Sequence, residues 1–434
     1  MTHEHDEEQP REDTGPAAPI SGPVPLPSRI QRGPIDVVLL AAVCALVSIG
    51  LLTIYGTSSL NAYFDPGKAR DSFLFFEKQA WGAIAGVVLM MLAMRTDFSV
   101  YSKYVAYICV GTGALVGLTY IDGISHAAKG ASRWVQFGPI NFQPSELVKV
   151  AVVIFIANSI TKKADSMRNL WDAFGSTVVV LLPFVLLLMG QPDFGTTLII
   201  CTLTGIMLYV GGARWAPMVG VLLIGIALAA TAIWNKPYRM ERVRTWLDPW
   251  ADASDSGYQL VNSFIALASG GLSGAGFGEG RGKLGYLPEL YNDFVASSVG
   301  EELGLVGMAL LCILYLIILW RGVVIAFEAR DSFGAFLAFG ITLLITIQAG
   351  FNLCVVTGIA PTKGLTLPLV SYGRTSLMIV LACVGILLNI SQRNPDLTKA
   401  RSTAKEQQYL ENTLRHTELR FRKLREAQST RRRA

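Results

Sequence analysis

Residues 281–303 read RGKLGYLPELYNDFVASSVGEEL. Two cations, Arg281 and Lys283, open the stretch, Leu287-Pro288 turns it, and beyond Asp293 the chain becomes apolar for the length of a membrane span. A carboxylate at the edge of a bilayer is costly to desolvate, so Asp293 is a functional candidate. Asp is also a favoured N-cap residue, and capping of the following helix is the competing reading.

Outward from this stretch, the composition sets the class. The chain is 52% hydrophobic and 16% charged, a balance that a soluble core does not need and a membrane protein does. Apolar runs of spanning length predict helices at about 36–56, 76–95, 102–121, 145–161, 173–190, 195–211, 215–234, 296–320, 333–355 and 367–391. The expected fold class is therefore an all-α integral membrane protein of about ten transmembrane helices. Even span number puts both termini on one side. Lys and Arg near span ends (Arg95 and Lys103, Lys162, Lys163 and Arg168, Arg214, Arg321 and Arg330) mark that side as cytoplasmic. One large extracytoplasmic loop, about 235–295, then faces outward.

The ends differ from the middle. Residues 1–34 hold seven of the nineteen prolines, lack an apolar signal region, and read as a disordered cytoplasmic start. Residues 393–434 carry twelve Lys and Arg against five Asp and Glu, a basic tail suited to anionic lipid or to a cytoplasmic partner, or simply solvated. The domain plan is thus 1–34, a polytopic body at 35–392, and the tail. The six cysteines fall inside apolar runs without CxxC spacing, and no HExxH pattern occurs. These residues suggest neither disulfides nor a histidine-based metal site, and nothing suggests nucleic acid as a partner.

Polar clusters recur at the outer ends of the spans. KGASRWVQFGPINFQPSELVK (129–149) offers Arg133, then Glu146, then Lys149 inside an apolar run, where a lone ammonium needs an acidic partner or an anionic ligand. Glu146 and Lys149 stand three apart on a helix and could simply pair. Asp193 in QPDFGTT could cap the sixth helix. Six glycines between 270 and 280 suggest tight, re-entrant backbone, since the strand–helix context of a phosphate loop is missing. GIAPTKGLTLPLVSYGRTSL (358–377) adds Lys363, Ser371 and Arg374. One face then gathers Arg133, Lys149, Arg242, Arg244, Lys283, Lys363 and Arg374 around Asp293. Many cations with one carboxylate suit a lipid pyrophosphate sugar. One carboxylate can take the proton from an attacking hydroxyl, and cations stabilise the departing pyrophosphate. A leaving group that is already an anion needs no second carboxylic acid.

ASRWVQFGPINFQPSELVK, QPDFGTT, LDPWADASDSGYQLVNSFIALASGGLSGAGFG, YLPELYNDFVASSVGEELG and APTKGLTLPLVSYG, in that order, strongly resemble the SEDS family of cell-wall polymerases. The likeness covers roughly 36–392, and PTKGLTLPLVSYG looks more like the FtsW division branch than the RodA elongation branch. The resemblance implies a ten-helix peptidoglycan glycosyltransferase of the inner membrane, at the division septum, that polymerises lipid II. It also implies a class B penicillin-binding protein and other divisome membrane proteins as partners. It carries the family's essential aspartate onto Asp293 and its lysine onto Lys149. It carries the family's loop arginines onto Arg242 and Arg244; the candidate substrate contacts are these with Lys149, Glu146, Arg133, Gln259, Lys283, Lys363 and Ser371. No protein metal site is implied, although a divalent cation (Mg or Mn) could share the pyrophosphate. Two departures stand out: YND before Phe294 where the family reads HTDF, and Arg374 where it reads SYGGSS. A flippase is the first rival reading, with Glu301 and Glu302 inside the eighth span either serving a path or bracing the bundle. A non-catalytic divisome scaffold is the second.

Overall fold

A computed structural model describes residues 33–64, 73–121, 125–128, 131–137, 140–169, 171–234, 237–280, 292–362 and 364–393. The proline-rich start up to residue 32, most of the basic tail, Arg281, Lys283 and Lys363 lie outside the described residues.

Backbone amides immersed in hydrocarbon must find partners within their own segment, so long apolar runs become helices. The helices are α1 (Val37–Phe64), α2 (Leu74–Arg95), α3 (Ser99–Lys103), α4 (Val105–Leu118), α5 (Pro144–Lys162), α6 (Ser176–Gly190), α7 (Phe194–Val210), α8 (Trp215–Trp234), α9 (Pro237–Leu247), α10 (Tyr258–Gly270), α11 (Val295–Phe327), α12 (Ser332–Val356) and α13 (Arg374–Ser391). Among the described residues, seven are long and apolar enough to cross a membrane, and α4 and α7 are shorter apolar helices.

Every expected run holds a helix, and several change in outline; the first runs on to Phe64. The third is broken at Tyr104, which separates α3 from α4. The eighth continues to Phe327, and its helical geometry is interrupted at Gly304 (φ 65°, ψ −158°). The last starts at Arg374 instead of 367. There LPLVSYG makes a tight turn: Leu369 takes a left-handed φ of 70°, and Ser371 N donates to Leu367 O at 2.9 Å.

The all-helical expectation also misses one element. Between α4 and α5 lies an antiparallel sheet of β1 (Ser125–Ala128), β2 (Ala131–Phe137) and β3 (Ile140–Phe142), in that spatial order. The signal was available: Lys129-Gly130 and Gly138-Pro139 punctuate short runs that contain Trp, Val, Ile and Phe.

α5 is the central helix. Its apolar window is 78% buried, more than in any other of the seven spans. It packs against α4, α7 and α12. α2 and α13 lie side by side, and small residues let them approach. A Cβ at Gly385 would stand 2.3 Å from Met90 O, and one at Gly86 2.5 Å from Leu381 Cδ1.

Polar ties close one end of the bundle. Arg321 donates to Asp36 Oδ2 at 2.8 and 2.6 Å, joining α11 to the start of α1. Arg393 pairs with Asp97 at 2.8 Å, and Asn389 Nδ2 donates to Met94 O at 2.6 Å. Burial pushes the Asp97 carboxyl up, but hydrogen bonds from Arg393 and Ser99 outweigh it and hold the group below its ordinary value.

Candidate active site

The opposite end of the bundle carries the polar stretches of the sequence. Asp293 is half-buried just before α11. The N-cap position of α11 falls on Phe294, one residue beyond Asp293. The backbone carbonyl of Asp293 accepts from Asn352 Nδ2 at 2.8 Å, and the same nitrogen donates to Leu365 O at 2.7 Å. A Cβ at Gly364 would stand 3.4 Å from Asp293 Oδ2, so the carboxyl lies against a residue with no side chain. The start of α11, the end of α12 and the segment after it therefore meet at this acid.

Lys149 lies one turn inside α5 and is only 2% exposed. Its Nζ donates to Glu146 Oε1 at 2.8 Å and to Gln348 Oε1 at 2.6 Å. Gln348 Nε2 donates in turn to Thr366 O at 2.9 Å. A buried ammonium is tolerable only when paired and hydrogen-bonded, and here both conditions hold. A small void beside the pair is lined by Glu146, Lys149, Gln348, Ile379 and Cys383.

Arg133, on β2, donates to Gln191 O at 3.0 Å and Pro192 O at 2.7 Å. It braces the corner between α6 and α7, where Pro192 takes a φ of 31°. Asp193 follows and caps α7: Thr196 N donates to its Oδ1 at 3.2 Å and Thr196 Oγ1 to its Oδ2 at 2.9 Å. Asp193→Ala should lower stability by about 1 kcal/mol. Thermal unfolding in detergent checks this, and an unshifted melting curve would contradict the capping role.

Arg242 and Arg244 are exposed on α9, and Gln259 is half-exposed at the start of α10. These two helices are tied to the end of α12 through Trp246 Nε1, which donates to Gly358 O at 2.9 Å, and Ser263 Oγ, which donates to Val356 O at 3.0 Å. Ser371 is buried, and its Oγ accepts from Leu367 N at 2.8 Å, closing the turn before α13. Tyr372 packs edge-on against Phe75 at 5.4 Å. Burial pushes its phenol up, while the Arg374 guanidinium works against that rise. The stem of Arg374 lies against Gly82 of α2, where a Cβ would meet its Cγ at 3.2 Å.

The glycine-rich segment after α10 is re-entrant, as the sequence suggests. Ala275 N donates to Glu301 O at 2.9 Å, Gly276 N to Glu302 O at 3.1 Å, and Leu305 N to Gly271 O at 3.0 Å. Gly274 needs its lack of a side chain: its φ is 84°, and a Cβ would stand 2.1 Å from Glu302 O. Glu301 and Glu302 are both 3% exposed, at the junction between this segment and the interrupted α11.

Sequence reasoning missed Gln348 and Asn352. The signal was two amides one helical turn apart within an apolar run, which places them on one face. Among the described residues, no group of three or more His, Cys, Asp or Glu could hold a metal ion.

The family model for FtsW, RodA and SpoVE, described as a cell cycle protein, matches residues 37–395. A probable peptidoglycan glycosyltransferase FtsW of Geobacter sp. strain M18 is 39% identical over 358 residues, covering 82% of this chain and 97% of that relative. Stage V sporulation protein E of Bacillus subtilis strain 168 is 36% identical over 360 residues, covering 82% and 97%. Among solved structures, a chain from a peptidoglycan synthase complex, described as coordinating polymerization and crosslinking, is 27% identical. Its TM-score is 0.69, with 83% of this chain and 98% of that chain covered. The rod shape determining protein RodA of Thermus thermophilus, 24% identical with a TM-score of 0.62 over 83% and 98%, shares the fold. Apolar helices of spanning length and these likenesses together make this a multi-pass membrane protein. The chain belongs to the FtsW/RodA/SpoVE family of cell cycle proteins, which the SEDS resemblance anticipates.

Proposed function

We propose that this protein is a peptidoglycan glycosyltransferase that polymerises lipid II during cell division. The observation that carries the reading is Asp293, a half-buried carboxylate beside Gly364 and tied by its backbone to α12. The names of its relatives support the same activity. In this reading Asp293 takes the proton from the 4-hydroxyl of the acceptor's terminal GlcNAc. The freed oxygen attacks C1 of the donor's MurNAc, and the bond from C1 to the pyrophosphate breaks. Undecaprenyl pyrophosphate carries away the electron pair, and the configuration at C1 inverts.

The exposed arginines Arg242 and Arg244 suit the first encounter with pyrophosphate, with Lys283 and Lys363 as further contacts. Lys149, held by Glu146 and Gln348, supplies a buried positive charge beneath the same end of the bundle. Gln259 completes the proposed substrate contacts, while Arg133 braces the α6–α7 corner and Ser371 closes the turn before α13. A divalent cation would share the pyrophosphate charge with these side chains. Ten spans, cytoplasmic termini and residence in the inner membrane at the septum complete the reading. A class B penicillin-binding protein would be the partner, supported by the description of the similar synthase complex.

The test is purified protein, alone and with its class B partner, incubated with lipid II and scored for glycan strands on a gel. Strands are expected. Lipid II that stays monomeric under both conditions, yet is moved across liposome membranes, would sink the polymerase and favour the flippase. Glu301→Gln serves as the matching control, because Glu301 and Glu302 are buried carboxylates that a flipping path could use.

A further inference from the structure

We propose that Asn352 is the positioning residue for the Asp293 carboxylate, and that Gln348, one turn earlier on α12, plays the same part for Lys149. This rests on the reading of Asp293 as the base. Asn352 is 1% exposed, and its one nitrogen serves two carbonyls from distant parts of the chain, Asp293 O and Leu365 O. Gln348 is 2% exposed and bridges Lys149 Nζ and Thr366 O. The two amides stand four residues apart, hence on one face of the helix. The segment 364–366 is strung between them, and Gly364 is the wall against which the Asp293 carboxyl rests.

The geometry has a chemical consequence. The base lies just before α11, and the buried cation belongs to α5. Both are referenced to α12, so one helical turn sets their spacing. Among the described residues, Asn352 Oδ1 meets no donor. A buried acceptor without a partner is a cost to stability. The Asn352 nitrogen instead ties two main-chain carbonyls from distant parts of the chain together, so what the amide contributes is alignment. A general base must lie within hydrogen-bond reach of the proton it takes, and a misplacement of about 1 Å can cost about a hundredfold in rate.

The experiment uses the full-length protein polymerising lipid II. Asn352→Leu keeps the volume and removes both donations. The expected result is a fall in kcat of about ten- to a hundredfold, with KM within about twofold of wild type, because donor binding does not pass through this amide. If Asn352→Leu does not yield folded protein, Asn352→Ser is measured by the same criteria. Wild-type kcat, or a loss that tracks the folded fraction with kcat and KM changing together, overturns the proposal. Asp293→Asn is run alongside. If it is inactive while the Asn352 variant is fully active, the positioning role alone fails. If it polymerises like wild type, the base assignment fails and takes this proposal with it.

Discussion

Asp293→Asn lowers the rate of lipid II polymerisation by about 10²–10⁴-fold and leaves the fold intact. The reason for the large effect is that the substitution removes one function only. Asparagine matches aspartate in size, so the contact with Gly364 is kept. The tie to α12 runs through the Asp293 main-chain carbonyl, which the substitution does not touch. What disappears is the ability to accept a proton in the transition state, worth about 2.7–5.5 kcal/mol for such a rate range. Because substrate contacts lie elsewhere, KM should stay near its wild-type value. Asp293→Glu keeps the acid but adds a methylene towards Gly364, where only 3.4 Å separates a Cβ position from the carboxyl oxygen. It should retain partial activity. The measurement is the initial rate of strand formation, with unfolding in detergent as the control for folding. Strand formation by Asp293→Asn at the wild-type rate would remove the general base from the mechanism.

Much of this arrangement was legible before any coordinates. Apolar runs at spanning length became helices because lipid leaves the backbone no other partner. Asp293 drew attention because an ion at a membrane edge is expensive, and Lys149 because an ammonium in an apolar run must find an anion. The pairing of Lys149 with Glu146 is one of the two fates, acidic partner or anionic ligand, that the sequence leaves open for this lysine. What stayed hidden depends on distance along the chain. Asn352 acts on a carbonyl 59 residues earlier, and Gln348 on a lysine 199 residues earlier. No periodicity reports such a meeting, and a neutral amide in an apolar run raises no electrostatic alarm. Arg133 shows the same limit. A sequence reading sees a cation near a lipid pyrophosphate, whereas the structure commits its guanidinium to two carbonyls at the α6–α7 corner. Short elements escaped for another reason. Three strands of four, seven and three residues carry too few positions for a period-two pattern to stand out.

Lys149→Met should destabilise the protein by about 3–5 kcal/mol. Methionine fills nearly the same volume, so the loss is not a cavity effect. It comes from Glu146, 6% exposed and deprived of its cation, and from Gln348 Oε1, which loses its donor at 2.6 Å. A buried charge without its partner is far more costly than a pair replaced as a whole. The double variant Lys149→Met with Glu146→Gln should therefore recover most of the stability, since neutral groups of similar shape replace both ions. Activity should not recover with it. The positive charge that the polymerase reading assigns to Lys149 is still missing, so strand formation should stay at least tenfold below wild type, as expected when a fixed charge facing a developing anion is lost. Melting in detergent and strand formation from lipid II, measured on the same three proteins, separate the two roles. A double variant that recovers both stability and polymerisation would reduce Lys149 to a structural partner of Glu146. One that recovers stability alone leaves the ammonium's charge as the property the reaction needs.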